Sequence, residues 1–258
     1  MTITASGVDK RLDIGKVFQQ TIEVLKRNFA SFGLLTLLLV AGPQLIKALA
    51  QSMGGTTNPI VQLVAGIVGI SALVLGPMQQ GALIYGTVQD LNGSPASMQD
   101  CLRVGSKRWL PLLGLEIVTG LFIGVGFVLL IVPGVLLALR WAVSAPALIM
   151  EGRGITNAMD RSVSLTKGRR GGVFLLLLVI WVAAAIVEGA AFGLMGGFAG
   201  LQALVASKSS PSMILLLSGP VLSFVFNLLI WPLIAALFHE LRATREGATP
   251  ESLAEVFA

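Results

Sequence analysis

Residues 110–150 read LPLLGLEIVTGLFIGVGFVLLIVPGVLLALRWAVSAPALIM, 41 residues in which Glu116 and Arg140 are the only ionisable side chains. One helix crossing a bilayer needs about 20 apolar residues, so this run has room for two, and Pro133-Gly134 is the strong turn signal near its middle. The stretch therefore predicts a membrane hairpin. The rest of the chain is built alike. Of its 258 residues 55% are hydrophobic and 12% charged, with a mean hydropathy of +0.85. A soluble globular domain carries roughly 25% charged residues to cover its surface. That shortfall excludes a soluble enzyme domain and a disordered chain.

Working outward, further apolar runs predict spans at about 30–50, 60–88, 110–131, 133–150, 173–195 and 212–238. The expected fold is all-α: a polytopic membrane protein, one integral domain over 1–258, with six transmembrane helices arranged as three hairpins. Prolines interrupt several runs, at Gly42-Pro43, Gly76-Pro77, Pro220 and Pro232, and a kink is expected at Gly76-Pro77. The first 28 residues hold no continuous apolar core, so no cleavable signal peptide is expected.

Charge placement orients the chain. Fifteen of the 18 Lys and Arg fall in the N-terminal segment, in the loops after spans two and four, or in the tail at 239–258. The positive-inside rule then predicts cytoplasmic N and C termini. The net charge of +5 reads as this orientation and not as a nucleic-acid footprint.

Each hairpin is preceded by an amphipathic stretch: 12–29, 95–109 and 155–167. In the first, Ile14, Val17, Phe18, Ile22, Leu25 and Phe29 share one face while Lys16, Gln20, Glu23 and Arg27 share the other. The second is expected to open at Ser94-Pro95 as N-cap and first helical residue. Basic clusters close the three: Lys26 and Arg27; Lys107 and Arg108; Lys167, Arg169 and Arg170. Helices of this kind lie in the headgroup layer, and these seven residues are the expected contacts with anionic lipid.

Charges inside a bilayer need a partner or a task. On straight helices Arg140 lies about 16 Å from the cytoplasmic end at Glu151, Glu116 about 10 Å in from Trp109, and Glu188 about 22 Å past Val173. With Gln79, Gln80 and Asn227 they form an expected mid-membrane polar layer. It reads either as a cavity for a lipid headgroup or solute, or as an Arg–Glu clamp between helices.

Catalytic machinery is not evident. The chain has one cysteine, Cys101, and one histidine, His239, and lacks a phosphate-binding Gly-x-x-x-x-Gly-Lys-Ser/Thr loop or a His-Glu-x-x-His pair. No catalytic residue, metal site or cofactor is expected.

The run IVPGVLLALRWAVSAPALIMEGRGITNAMDRSVSLTKG, residues 131–168, resembles the membrane domain attached to some bacterial glycerophosphoryl diester phosphodiesterases. The resemblance rests on Pro133, Gly134, Arg140, Pro146, Glu151, Gly152, Ala158, Arg161, Ser162 and Leu165 to Gly168. The closing FHELRATREG is similar through Leu241, Arg242, Glu246 and Gly247. In the fused relatives hydrolysis belongs to a separate soluble barrel, which this sequence does not contain. The resemblance implies a bacterial inner-membrane protein linked to lipid metabolism and supplies no catalytic residue. The expectation is a non-enzymatic scaffold or accessory factor contacting anionic lipids, a second copy or other membrane proteins. The alternative is a transporter or lipid-handling channel built around Arg140.

Overall fold

The computed structural model describes residues 12–55, 58–152, 154–194 and 213–246. These form α1 (Ile14–Thr36), a π-helical turn (Leu37–Ala41), α2 (Gly42–Gly54), α3 (Pro59–Leu91), α4 (Met98–Leu129), α5 (Ile131–Arg140), α6 (Ser144–Glu151), α7 (Ile155–Thr166), α8 (Arg170–Leu194) and α9 (Met213–Glu246). No strand occurs among the described residues. Among the described residues six helical stretches are long and apolar enough to cross a membrane: 14–53, 59–91, 98–129, 131–151, 170–190 and 217–246. The protein is an all-α, multi-pass membrane protein. The glycine-rich stretch 195–200 and the tail beyond Glu246 lie outside the described residues.

Local sequence explains the helix ends. The Asp13 carboxylate accepts from the Lys16 N–H at 3.0 Å, and Asn58 accepts from Ile60 N–H at 2.9 Å ahead of a Pro at the first helical position. The second amphipathic stretch begins at Ser97, not at Ser94-Pro95. Ser97 Oγ accepts from Asp100 N–H at 3.1 Å and donates to the Asp100 carboxylate at 2.6 Å, a reciprocal cap that Ser94 has no acidic residue to complete three positions on.

The structure departs from the sequence reading where amphipathic stretches meet spans. No break separates 12–29 from 30–50 or 95–109 from 110–131; α1 runs to Thr36, and α4 is one helix of 32 residues. Nothing at either junction supplies a C-cap glycine, and Pro111 is accommodated within α4. The third stretch is separate, as α7. Gly42-Pro43 converts the ladder instead of ending it: Gly42 N–H reaches back to Leu37 C=O, five residues away. Proline has no N–H to offer and its ring crowds the carbonyl four residues back, which a wider turn relieves.

The expected turn at Pro133-Gly134 lies instead at Leu130, the one extended residue between α4 and α5 (φ −163°, ψ 144°). Pro133 then sits in the first turn of α5, where its missing N–H is not needed. The hairpin is tight because glycines meet: a Cβ on Gly126 would stand 2.9 Å from Gly134 Cα. Further along, Phe122 and Trp141 pack edge to face, centroids 6.0 Å apart. The expected span 133–150 is itself broken over Trp141–Val143, between α5 and α6.

Burial concentrates at one pole. In α3 the half from Pro77 to Asp90 is almost wholly buried, whereas Ile60, Leu63, Ile67, Ile70 and Leu73 are all more than half exposed. In α8 the only buried described side chains are Val173 and Leu176, next to its first turn. The core joins these ends: Val17, Ile84, Leu112, Leu148, Leu165, Leu237 and Phe238 form one cluster, and Val24, Phe32, Leu83, Cys101 and Leu228 a second. Helices are therefore clamped together at the pole bearing the basic clusters. Their other ends present leucine, isoleucine and valine outward, the surface a lipid environment satisfies.

Candidate functional site

The expected mid-membrane layer is not a single cluster. Arg140, at the last turn of α5, has an exposed side chain; so have Glu116 on α4 and Glu188 on α8. No ion pair joins any two of them among the described residues. Placement in one layer along straight helices does not bring side chains together when they leave the bundle in different directions. Gln79 and Gln80, by contrast, are buried, and Gln79 Nε2 donates to Thr36 Oγ1 at 3.1 Å, tying α3 to α1. Asn227 serves its own helix: its Nδ2 donates to Ser223 C=O at 2.9 Å while its Oδ1 accepts from Trp231 Nε1 at 3.1 Å.

What Arg140 contributes is backbone. Where α5 stops, its carbonyl accepts from Ser162 Oγ of α7 at 2.8 Å, and that Ser162 Oγ in turn accepts from Val143 N–H at 3.2 Å. Ser162 is fully buried. One hydroxyl thus occupies a donor and an acceptor that the helix break would otherwise leave unsatisfied, a requirement that low-polarity surroundings make strict.

The neighbouring residue carries the charge network. Arg161 Nε lies 2.6 Å from Glu151 Oε1, its Nη2 bonds Glu246 Oε1, and Glu246 Oε2 accepts from Arg242 Nε at 2.8 Å. Helices α6, α7 and α9 are joined through this chain of four. Burial opposes charge on Arg161, yet its bonds to Glu246 and Glu151 outweigh that effect and raise its pKa above the ordinary arginine value. Two further pairs lie at the same pole: Lys16 Nζ with Glu240 at 2.8 Å, joining α1 to α9, and Arg27 with Asp90 at 2.6 Å, joining α1 to α3. Sequence reasoning did not anticipate these pairings. Glu246 is 85 residues from Arg161, a separation that carries no signal of contact, although all four members of the chain are positions on which the resemblance rests.

The seven expected lipid contacts divide accordingly. Arg27 is held by Asp90, and Arg169 Nη2 donates to Thr244 C=O at 3.0 Å. Arg108 lies beside Gly152, its guanidinium 3.1 Å from where a Cβ would stand, and Arg170 is half-buried. Lys26, Lys107 and Lys167 remain exposed, and none has a carboxylate within salt-bridge distance among the described residues. Each basic cluster therefore keeps one exposed lysine.

Two apolar recesses flank α9. One, about 350 Å³, opens between α1, α8 and α9 with Glu188 on its wall. The other, about 420 Å³, lies between α9 and the stretch from α1 through the π-helical turn to α2. Among the described residues no three His, Cys, Asp or Glu side chains gather as a metal site would require.

Comparison with known proteins gives one family. The membrane domain of glycerophosphoryl diester phosphodiesterase matches residues 115–243, which is 129 of the 258 residues. The match takes in the second half of α4, α5 to α8 and most of α9, and therefore the Ser162 bridge and the Arg161–Glu151 pair. No curated protein and no solved structure matches the chain. With half its length covered, the chain belongs to the family of the membrane domain of glycerophosphoryl diester phosphodiesterase.

Proposed function

We propose that this chain is a non-catalytic multi-pass protein of a bacterial inner membrane, with both termini cytoplasmic, that holds anionic lipid at its basic pole and acts there as a scaffold or accessory factor. The observation that carries this reading is the division of the basic residues. Arg27 and Arg169 are engaged in joining helices, while Lys26, Lys107 and Lys167, one from each cluster, are exposed with no acidic partner among the described residues. A lysine is a compact, strongly hydrated point charge suited to loose phosphate contact, whereas the planar arginine fork suits fixed pairing. The alternative, passage of a solute past Arg140, has less support, because Arg140, Glu116 and Glu188 face outward separately.

The test replaces Lys26, Lys107 and Lys167 together by Gln and measures phosphatidylglycerol enrichment around the purified protein in mixed nanodiscs. At low salt the preference over phosphatidylcholine is expected to fall by up to about a hundredfold, since each such charge contributes several-fold near an anionic surface. Raising ionic strength is expected to erase the wild-type preference as the screening length shortens. An unchanged preference in the triple variant refutes the proposal.

A further inference from the structure

The recess between α1, α8 and α9 lies along the part of α8 beyond its buried Val173 and Leu176, where Ile180 is still packed against the core and most later side chains are exposed. Its walls are apolar, with Phe18 and Ile22 from α1, Ile180 and Ala184 from α8, and Phe226 and Leu229 from α9. Along α9 it extends from Leu222 to Leu233, about 16 Å at helical rise. That is about half the ~30 Å hydrocarbon core, the depth of one leaflet and of one lipid chain. Thr21 also lines it but spends its hydroxyl on Val17 C=O at 2.8 Å. Glu188 is the one ionisable residue of the lining, exposed and without an ion-pair partner among the described residues.

We infer that this recess is a binding site for one chain of an amphiphile whose headgroup presents a hydrogen-bond donor, an ammonium or a hydroxyl, to the Glu188 carboxylate. The apolar walls specify the chain and the carboxylate specifies the headgroup. A carboxylate among apolar groups is costly unless a donor meets it, and no described residue forms an ion pair with it there. The inference is independent of the basic pole: none of Lys26, Lys107 and Lys167 lines the recess.

The experiment uses the full chain in nanodiscs and single-chain phospholipids whose free backbone hydroxyl is capped as a methyl ether, carrying a photoreactive group in the tail. The headgroups are ethanolamine (ammonium), glycerol (hydroxyl) and methyl (no donor). Cross-links mapped by mass spectrometry are expected to concentrate on the facing walls of α1, α8 and α9. The ethanolamine and glycerol probes are expected to exceed the methyl probe. Glu188→Gln is expected to lower ethanolamine labelling about tenfold or more, because hydrogen bonds to a charged group are the stronger kind. It is expected to lower glycerol labelling less, which separates the two headgroup sources. Ala184→Phe, which fills the recess, is expected to lower all three probes. Protection of the buried Cys101 thiol from alkylation shows that both variants are folded. Labelling as dense on the outward faces of α3 and α4 as in the recess overturns the inference. So does labelling indifferent to Glu188→Gln, whatever Ala184→Phe does, and so does a cross-link showing a second copy of the chain seated against Glu188.

Discussion

Replacing Gly105 by Ala tests the tightest glycine contact among the described residues. A Cβ at Gly105 would stand 2.2 Å from the carbonyl oxygen of Met78 and 3.2 Å from the amide nitrogen of Ala82, both backbone atoms of α3. Carbon and oxygen at such crossings rest at about 3.3–3.6 Å, so α3 and α4 must part by about 1 Å. A gap of that size forfeits a quarter to a half of each dispersion well across it. Leu112 is fully buried on the same face of α4, and its side chain is within 3.1 Å of where a Cβ on Gly81 would be. If a side chain of this kind makes 40–60 contacts of 0.1–0.2 kcal/mol, losing a quarter of them costs about 2 kcal/mol. Strain at neighbouring positions brings the expected total to about 2–4 kcal/mol, at or above the usual cost of overpacking. The assay uses the chain's single cysteine. Cys101 lies in this interface, 1% exposed, with its sulfur 2.9 Å from the position of a Cβ on Gly86. Alkylation of its thiol by a fluorogenic maleimide therefore reports opening of α3 from α4. Gly105→Ala is expected to accelerate labelling by between one and three orders of magnitude, at about tenfold per 1.4 kcal/mol. Gly120→Ala, on the same helix but with nothing within 4 Å of its Cβ, serves as control. If Gly105→Ala labels no faster than this control, the close crossing and the reasoning built on it are refuted.

Ser162→Ala removes the hydroxyl that bridges Arg140 C=O and Val143 N–H, and is expected to destabilise the protein by about 1–3 kcal/mol, the cost of leaving buried polar groups unsatisfied. The thermal midpoint of Cys101 labelling checks it; a midpoint within 1 °C of wild type sinks the claim. Arg161→Met, which leaves Glu151 and Glu246 without their shared cation, is expected to cost about 1.5–3 kcal/mol and to speed proteolysis around α7. The triple change Arg161→Met, Glu151→Met, Glu246→Met is expected to regain most of that loss, because a coherent apolar replacement removes the desolvation penalty with the attraction. If the triple variant is less stable than the single one, the network contributes more than mutual neutralisation.

The spans were legible because hydropathy over 20 residues is a bulk property: the 41-residue run at 110–150 holds a hairpin wherever its turn falls. The turn itself was misplaced. Proline marks where a ladder loses a donor, and the first turn of a helix tolerates that loss as well as a loop does, so Pro133 moved into α5 and Leu130 became the corner. The candidate polar layer was misread for a different reason. Depth follows from residue count, but partnership depends on which way each side chain leaves its helix, and six helices crossing at unknown angles leave that direction free. Arg140, Glu116 and Glu188 therefore leave their helices separately and do not pair with one another among the described residues. Arg161 and Glu246 carry no signal of pairing, since charges near helix ends look like solvated surface in any sequence.

The positions that carry the family resemblance acquire a physical meaning from this arrangement. Had they lined a cavity, a shared chemistry would follow. Instead Ser162 closes the break between α5 and α6, Leu165 and Thr166 are fully buried beside it, and Arg161 fastens Glu151 to the end of α9. Gly152, with φ of +65°, ends α6 in a left-handed conformation that side-chain-bearing residues rarely adopt, with the Arg108 guanidinium against its Cα. These are the parts of a joint that holds α5, α6, α7 and α9 at one pole. Beyond that joint most side chains of α8 are exposed, and the recess at Glu188 lies along them. None of the positions that carry the resemblance lines the recess, so the ligand proposed for it is to be sought in the walls of α1, α8 and α9.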